Sequence, residues 1–358
     1  TNVTLWPRSG TVLYARDLAL ELQRRGHVPL VFSSTTGPVA AELKRAGIHV
    51  TNRLSDFPQP DIIHGHHYAA TLLALRRWPA IPAIYICHDH QSFKDRTPLF
   101  AGVRRHFGVS RLCIQRLIVE GVSPDRVGLL PNFVDTERFP ARPPLPLRPR
   151  RALVFSNYAS MRTHLPAVAD ACRRAGLKFD VAGAGVGTPV SDPERLLPTY
   201  DIVFAKAKAA LEAMAVGNAV ILCDFSGVGP MVTSGTFDEL RALNFGFEAL
   251  VEPLSPEPLL REIARYDPND AARVRDLVHA RSSLRSTVDE LLAIYREVLA
   301  DASGDALAPD PPSRSDSLRA SLFLRVYWAW VTVPQRHMQG IKGFPGVDRV
   351  IAAIRRMV

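Results

Sequence analysis

The sequence of 358 residues contains few cysteines and no long apolar run. Its four cysteines form no CxxC pair or metal-binding spacing, which excludes a disulfide framework and predicts a reduced, cytoplasmic chain. No apolar run of 18 residues is free of charge, so we expect no membrane-spanning helix. We also find no signal peptide, and the first residues look like the inside of a truncated first strand. The scattered cysteines are Cys87, Cys113, Cys172 and Cys223.

Charge is distributed unevenly along the chain. Residues 1–140 carry a net charge of +6, residues 141–300 are neutral, and residues 301–358 carry +3. A basic surface suits nucleic acid, anionic lipid or phosphorylated ligands. Because no DNA- or RNA-binding motif is present, we expect no nucleic-acid partner. Hydrophobic residues at 47% and charged residues at 22% are typical of a globular chain.

Short apolar segments alternate with helical patterns, which predicts an α/β fold with parallel sheets. Residues 141–150 contain four prolines and predict a linker between two such halves. We therefore expect domains at 1–145 and 146–302, followed by a linker and helical tail at 303–358. Parallel sheets bind ligands at the carboxyl ends of their strands, so two such domains predict a cleft.

Two motifs give the chain a family resemblance. Residues 131–135 read Pro-Asn-Phe-Val-Asp, with Gly108-Val109-Ser110 upstream, and residues 212–215 read Glu-Ala-Met-Ala. In order, spacing and hinge position, residues 1–300 resemble glycosyltransferase family 4, retaining enzymes of the GT-B fold. The resemblance implies two Rossmann-like domains, the first binding an acceptor and the second a nucleotide-sugar.

In the first domain, glycine and histidine residues follow predicted strands. Gly10 lies between a strand and a helix, where backbone N–H groups can approach an anion, although a plain turn glycine explains it equally well. His66 is the residue that best matches the family's sugar-contacting histidine, with His64 as the alternative. Metal ligation and ordinary loop hydrogen bonding are the other interpretations, and no metal motif is complete. The resemblance gives the further sugar or acceptor contacts as His64, His88, Ser110 and Asn132.

On the donor side, the resemblance places phosphate-binding cations after the first strand of the second domain. Ser156 and Asn157 stand where the family has a glycine and an arginine, and Arg162 stands at its lysine. A solvated surface arginine is the alternative for Arg162. Gly183 belongs to a glycine-rich loop that lines the donor base in the family.

The family's paired donor glutamates are incomplete in this sequence. Glu212 matches the second, which holds the ribose hydroxyls, whereas the first falls at Phe204. Lys206 and Lys208 stand at a helix start, where cations are unfavourable unless an anion joins them. We expect them to face a phosphate or a sugar acid, and two solvated lysines are the alternative.

The resemblance implies a retaining, metal-independent hexosyltransferase without a cofactor, using a UDP- or GDP-linked sugar. Arg162 would stabilise the leaving diphosphate and His66 would orient the sugar. The expected acceptor is anionic, lipid-linked or a polysaccharide, in polysaccharide or glycolipid biosynthesis. Two alternatives stay open: a catalytically inactive GT-B protein that binds nucleotide or glycan, and a nucleotide-sugar epimerase.

Residues 316–335 are apolar on nearly all sides and include Tyr327, Trp328 and Trp330. With the flanking basic residues, they predict an interfacial helix that holds the protein at the inner face of the cell membrane. A helix packed against the protein body is the alternative. The basic residues are Arg314, Arg319, Arg325, Arg336 and Lys342.

Overall fold

The computed structural model describes residues 1–6, 8–303 and 310–332. The chain divides into two compact units, each built on parallel β-sheets with helices, which confirms the predicted α/β class. The first unit consists of Thr1–Leu130 and the chain from Val288 onward, and the second is Pro131–Thr287. The proposed domain limits at residues 145 and 302 stay predictions.

The first unit contains seven strands and four helices within residues 1–130. Its strands are β1 (Asn2–Thr4), β2 (Leu30–Thr35), β3 (His49–Thr51), β4 (Ile63–Gly65), β5 (Ala83–Cys87), β6 (Val103–Gly108) and β7 (Val127–Leu129). Its helices are α1 (Gly10–Arg24), α2 (Pro38–Arg45), α3 (Tyr68–Arg77) and α4 (Arg111–Val119). The strands form two parallel sheets, β1-β2-β3 and β4-β5-β6-β7. All five residues of β5 are fully buried, as the continuous apolar run Ala-Ile-Tyr-Ile-Cys predicts.

The second unit contains one five-stranded sheet. Its strands are β8 (Arg151–Phe155), β9 (Lys178–Ala182), β10 (Ile202–Ala205), β11 (Ala219–Asp224) and β12 (Gly227–Met231). Its helices are α5 (Leu165–Arg174), α6 (Pro193–Leu196), α7 (Ala207–Val216), α8 (Phe237–Ala242), α9 (Pro256–Ile263) and α10 (Pro268–Arg281). The strand order is β12-β11-β10-β8-β9, parallel except for β12. Because β10 lies between β8 and β11, the loops after these three strands share one edge of the sheet.

The chain returns to the first unit through α11 (Leu284–Ser303), and α12 (Arg314–Thr332) follows. Helix α12 packs against α3, and Ala320, Phe323 and Leu324 of α12 are buried. The Phe323 ring meets the Phe93 ring edge-on at a centroid distance of 5.6 Å. The part of α12 before residue 326 therefore packs on the protein body. The side chains of Tyr327, Trp328 and Trp330, and residues Arg336 and Lys342, lie outside the described part of the chain.

The described residues contain no helix whose length and apolar character would let it cross a membrane. Residues 256–303 form three consecutive helices, α9, α10 and α11. Asp267 starts α10 because its carboxylate accepts hydrogen bonds from the Asn269 and Asp270 N–H groups. Ser282 and Ser283 separate α10 from α11. The four cysteines are buried free thiols, in agreement with the expected absence of disulfides.

Candidate functional site

Four histidines lie at the carboxyl ends of β4 and β5 in the first unit. His64 belongs to β4, His66 and His67 follow it, and His88 follows β5. We call these four residues the histidine edge. His66 and His67 are each only 3% exposed. The sequence predicted that these histidines would come together, because the two strands are neighbours in a parallel sheet.

Hydrogen bonds fix the orientation of the histidine edge. His66 Nδ1 lies 2.9 Å from His88 Nε2, so one ring donates and the other accepts, and their tautomers are coupled. The Val3 N–H donates to His67 Nδ1 at 3.2 Å, and the Tyr295 hydroxyl is bonded to His64 Nδ1. The Tyr14 ring stands edge-on to His66 and His88, with centroids 5.4 and 5.0 Å away.

Burial also keeps the histidine edge uncharged. It lowers the pKa of His88 to about 3 and the pKa values of His64, His66 and His67 well below the ordinary value. Neutral imidazoles can each donate and accept one hydrogen bond, which suits sugar hydroxyls better than phosphates. Within the residues described, no group of three histidine, cysteine or acidic side chains has metal-binding geometry.

Three other residues predicted in or near the acceptor domain have local structural roles. Gly10 is the first residue of α1, where an added Cβ would meet no atom within 4 Å, so this position does not require glycine for packing. Ser110 caps α4, and its Oγ accepts from the Cys113 N–H at 3.4 Å. The Asn132 N–H donates to Asn244 Oδ1 at 3.1 Å, within the second unit.

The carboxyl end of the second unit's sheet gathers most of the predicted donor residues. Ser156 and Asn157 follow β8, Gly183 follows β9, and Lys206 follows β10. Arg162 lies in the loop between β8 and α5. We call Asn157, Arg162, Gly183 and Lys206 the cation edge. Arg162 is exposed, and its guanidinium has no hydrogen bond or ion pair to any described residue.

Gly183 holds two loops of the cation edge against each other. Its φ is +154°, and an added Cβ would lie 2.0 Å from the Ser156 carbonyl oxygen. Asn157 holds the same two loops together, because its Oδ1 accepts a hydrogen bond from the Ala184 N–H at 3.0 Å. Asn157 therefore replaces the family's arginine with a side chain that ties β8 and β9 loops together. Such close backbone packing is typical of loops that bind phosphates or nucleosides.

Lys206 forms an ion pair with Asp224 at the end of β11. Asp224 is 1% exposed. Burial alone would raise its pKa, but the Lys206 ammonium and the Ser226 hydroxyl hold the pKa of Asp224 below its ordinary value. The sequence analysis missed Asp224, although an acidic residue that ends a six-residue apolar strand was a usable signal. Lys206 is thus a half-buried cation held at a sheet edge.

Helix α7 begins in a strained conformation. Ala207 has φ +52°, a left-handed conformation that costs an L-residue roughly 1–2 kcal/mol. Its N–H donates to the Phe245 carbonyl at 2.8 Å, which stabilises this turn. Strained residues of this kind concentrate at functional sites. Glycine would adopt the positive φ of this position without strain.

Lys208 and Glu212 lie on α7 with 8% and 5% exposure. The Lys208 ammonium donates to the Phe133 carbonyl at 3.3 Å and lies 5.3 Å from the Phe133 ring. Lys208 is therefore directed towards residues 131–135 and away from solvent. Phe204 is fully buried inside β10, where it pairs with Val154 and Ile221, so it contacts only the core.

A further buried side chain, His164, lies near the Lys206–Asp224 pair. It is fully buried at the start of α5, and neither ring nitrogen has a hydrogen-bond partner among the described residues. Burial lowers its pKa, while the Asp224 charge raises it. The sequence offered no signal for His164, because its role depends on the packing of α5.

The first unit also contains an apolar cavity of about 420 Å³ beside Thr1 and the histidine edge. His64 and His66 reach one wall, but most of the lining is aliphatic or aromatic. Such a wall offers few partners for a diphosphate, so we place the candidate donor site at the cation edge. The apolar lining includes Leu18, Leu30, Phe57, Trp78, Leu292 and Leu299.

Residues 8–138 match the sequence model of the family described as Glycosyltransferase Family 4. The expected family resemblance is thereby confirmed for most of the first unit. Among curated proteins, none matches this chain.

Solved structures establish the fold of both units. The Anabaena protein HepE, solved in complex with UDP and glucose, is 14% identical, with a TM-score of 0.59 over 83% of this chain and 99% of HepE. A sucrose-phosphate synthase from Thermosynechococcus elongatus is 14% identical, with a TM-score of 0.51 over 82% and 94%. A putative UDP-N-acetylglucosamine 2-epimerase from Listeria monocytogenes is 13% identical, with a TM-score of 0.52 over 84% and 96%. The expected GT-B fold is confirmed, and it is shared by transferases and an epimerase.

Proposed function

We propose that this protein is a glycosyltransferase that transfers a sugar from a nucleoside diphosphate sugar to an acceptor hydroxyl. The observation that carries the proposal is the cation edge, where Arg162 and Lys206 flank loops packed as closely as Gly183 allows. Guanidinium and ammonium groups form strong charge-assisted hydrogen bonds with phosphate oxygens. HepE was solved with UDP and glucose, which supports a UDP-linked donor for this chain.

The donor would bind through charge and backbone contacts. The Arg162 guanidinium would bind the diphosphate, and Lys206 would exchange its contact with Asp224 for a phosphate oxygen. On the family resemblance, Glu212 holds the ribose hydroxyls. Its burial strengthens such hydrogen bonds, because water does not compete for the carboxylate.

The histidine edge would bind the uncharged hydroxyl groups of the substrates. His66, with its tautomer coupled to His88, would orient a hydroxyl of the sugar or the acceptor. In the transfer, the bond from the anomeric carbon to the diphosphate oxygen breaks and the acceptor oxygen forms a new bond to that carbon. The acceptor proton leaves with the diphosphate, whose charge Arg162 and Lys206 stabilise. We propose retention of configuration, without a metal or cofactor, on the family resemblance.

The acceptor would be anionic, as the charge of +6 in residues 1–140 suggests. A surface depression in the first unit supports this assignment. There the Arg96 guanidinium lies 5.2 Å from the Tyr68 ring, while Arg116 in the same depression is ion-paired to Glu120. A cation beside aromatic rings suits a phosphate attached to an apolar chain, such as a lipid-linked acceptor.

The test is product analysis with a panel of α-linked nucleotide-sugars. We expect release of one nucleoside diphosphate and a sugar product of α configuration, detected by proton NMR. A β product would contradict retention. Binding without any turnover, with anionic lipid and polysaccharide acceptors present, would support the inactive alternative.

The same panel tests an epimerase, which the likeness to the Listeria protein makes the second candidate. An epimerase would change the configuration at a sugar carbon away from the anomeric centre. Such a product, formed without an acceptor, would contradict the transferase proposal.

A further inference from the structure

Two aromatic rings are exposed at the cation edge, and the reaction described above does not use them. Tyr158 follows β8 and is 62% exposed, while Phe225 follows β11 and is 51% exposed. Their ring centroids lie 5.7 Å apart with an interplanar angle of 68°. Met161, in the same loop as Tyr158, is 74% exposed. Adjacent exposed apolar side chains at loop tips are typical of a binding surface.

The sheet places this aromatic pair directly beside Lys206. Strand β10 lies between β8 and β11, so Tyr158 and Phe225 meet across the end of β10. Lys206 Nζ lies 5.5 Å from the centre of the Phe225 ring. The rings therefore adjoin the cation to which we assign the donor diphosphate.

We propose that Tyr158 and Phe225 form an aromatic platform that binds the apolar face of the donor sugar. This inference rests on the proposed function, since it assumes a diphosphate at Lys206. The sugar is bonded directly to the terminal phosphate, whereas the base is separated from the phosphates by the whole ribose. The ribose, the other ring bonded to the diphosphate, is assigned to Glu212, so the ring that touches Phe225 is the sugar.

The apolar face of the sugar and the aromatic platform are chemically complementary. One face of a pyranose presents C–H groups, which are weakly positive, and the face of an aromatic ring is negative. The Tyr158 hydroxyl forms no hydrogen bond to a described residue, so it can bond a sugar hydroxyl. The platform then contributes to sugar affinity and to the choice of sugar, while the cations bind any nucleoside diphosphate.

The experiment compares free nucleotides with their sugar conjugates by calorimetric titration. The probes are UDP, GDP, ADP and dTDP, each with its glucose conjugate, against wild type, Tyr158→Ala and Phe225→Ala. We expect each variant to lose about three- to tenfold in affinity for the conjugate and less than twofold for the free nucleotide. Phe247→Ala is the matched control, because Phe247 is also half exposed in the second unit.

The conservative variant Phe225→Tyr should keep the wild-type affinity for the conjugate. Equal losses for nucleotide and conjugate, or no loss for either, would overturn the platform while leaving the proposed function intact. A wild-type protein that binds none of the eight probes would overturn the proposed function and the platform with it. Circular dichroism checks that the two alanine variants are folded, which we expect because both side chains are exposed.

Discussion

The side chains at the carboxyl ends of the strands differ in charge between the two units. At the histidine edge of the first unit, His66 and His67 are buried, His66 is hydrogen-bonded to His88, and burial lowers the pKa values of these imidazoles so that they are neutral. At the cation edge of the second unit, Arg162 is exposed and Lys206 is charged and paired with Asp224. One α/β architecture thus provides a neutral surface in one unit and a charged surface in the other. This difference supports the proposed reaction, in which one partner is a hydroxyl and the other is a diphosphate.

The largest expected difference between the two units is the loss of stability when a glycine in each is replaced by alanine. Gly183→Ala should destabilise the second unit by about 3 kcal/mol, through its positive φ and the Cβ contact with the Ser156 carbonyl. This corresponds to a fall in Tm of roughly 6–12 °C, measured by circular dichroism. Gly10→Ala is the control, because its Cβ would meet no atom. Equal falls for both variants would show that Gly183 is no more closely packed than Gly10.

Removal of a cation should weaken nucleotide binding at the second unit. Arg162→Ala and Lys206→Ala should each reduce UDP affinity roughly ten- to a hundredfold, the loss of about 1.5–3 kcal/mol expected for hydrogen bonds to a charged group. Uridine affinity should not change. Arg148→Ala and Lys178→Ala are matched controls, since both side chains are exposed away from the cation edge. If UDP and uridine lose affinity equally, the diphosphate does not bind these cations.

Acid should destabilise the first unit because its histidines are buried as neutral groups. Their folded pKa values lie below the unfolded value, so the stability they contribute is present above pH 6.5 and is lost as pH falls. Asp95, whose pKa burial raises to about 7, acts in the opposite direction but is a single group. We expect a loss of at least about 1.4 kcal/mol per pH unit between pH 6.5 and 5.

Tryptophan fluorescence can follow this acid effect selectively, because no tryptophan lies within residues 131–287. Urea unfolding followed by tryptophan emission should give a pH slope that decreases in His66→Gln. The exposed His27 provides the control variant His27→Gln. A slope that His66→Gln leaves unchanged would contradict the neutral, buried histidine edge.

The smallest expected effect is at Ala207. Ala207→Gly should raise the stability of the second unit by about 1 kcal/mol, because glycine adopts φ +52° without strain. Ala209→Gly, two residues further into α7, should lower stability by about 1 kcal/mol, since glycine weakens a helix interior. Thermal unfolding measures both, and changes of the same sign would contradict the strained start of α7.

Sequence patterns are sufficient to predict strands and helices that have a strong apolar pattern. Residues 83–87, 202–205 and 219–223 are short apolar runs of the kind that predicts buried strands, and β5, β10 and β11 form there. Strand β12 was missed because Gly227-Val228-Gly229-Pro230 is typical of a turn. It forms here as an edge strand beside β11, where a proline is tolerated.

The candidate site was predictable only where residues follow strands directly. His66, His88, Gly183 and Lys206 all do, and the parallel-sheet rule places such residues at the carboxyl end of the sheet. The rule could not show that Lys208 is directed towards Phe133, or that Lys206 pairs with Asp224. Those contacts depend on side-chain direction and on neighbours distant in the chain, which periodicity does not encode.

The central claim is that the cation edge binds the donor nucleotide. Hydrogen–deuterium exchange of the whole chain, with and without saturating UDP or GDP, tests it most directly. The account predicts slower exchange with at least one nucleotide, centred on residues 156–162, 183–187 and 206–208. Slower exchange centred on residues 64–67, with no change at the cation edge, would contradict it, as would no change with either nucleotide.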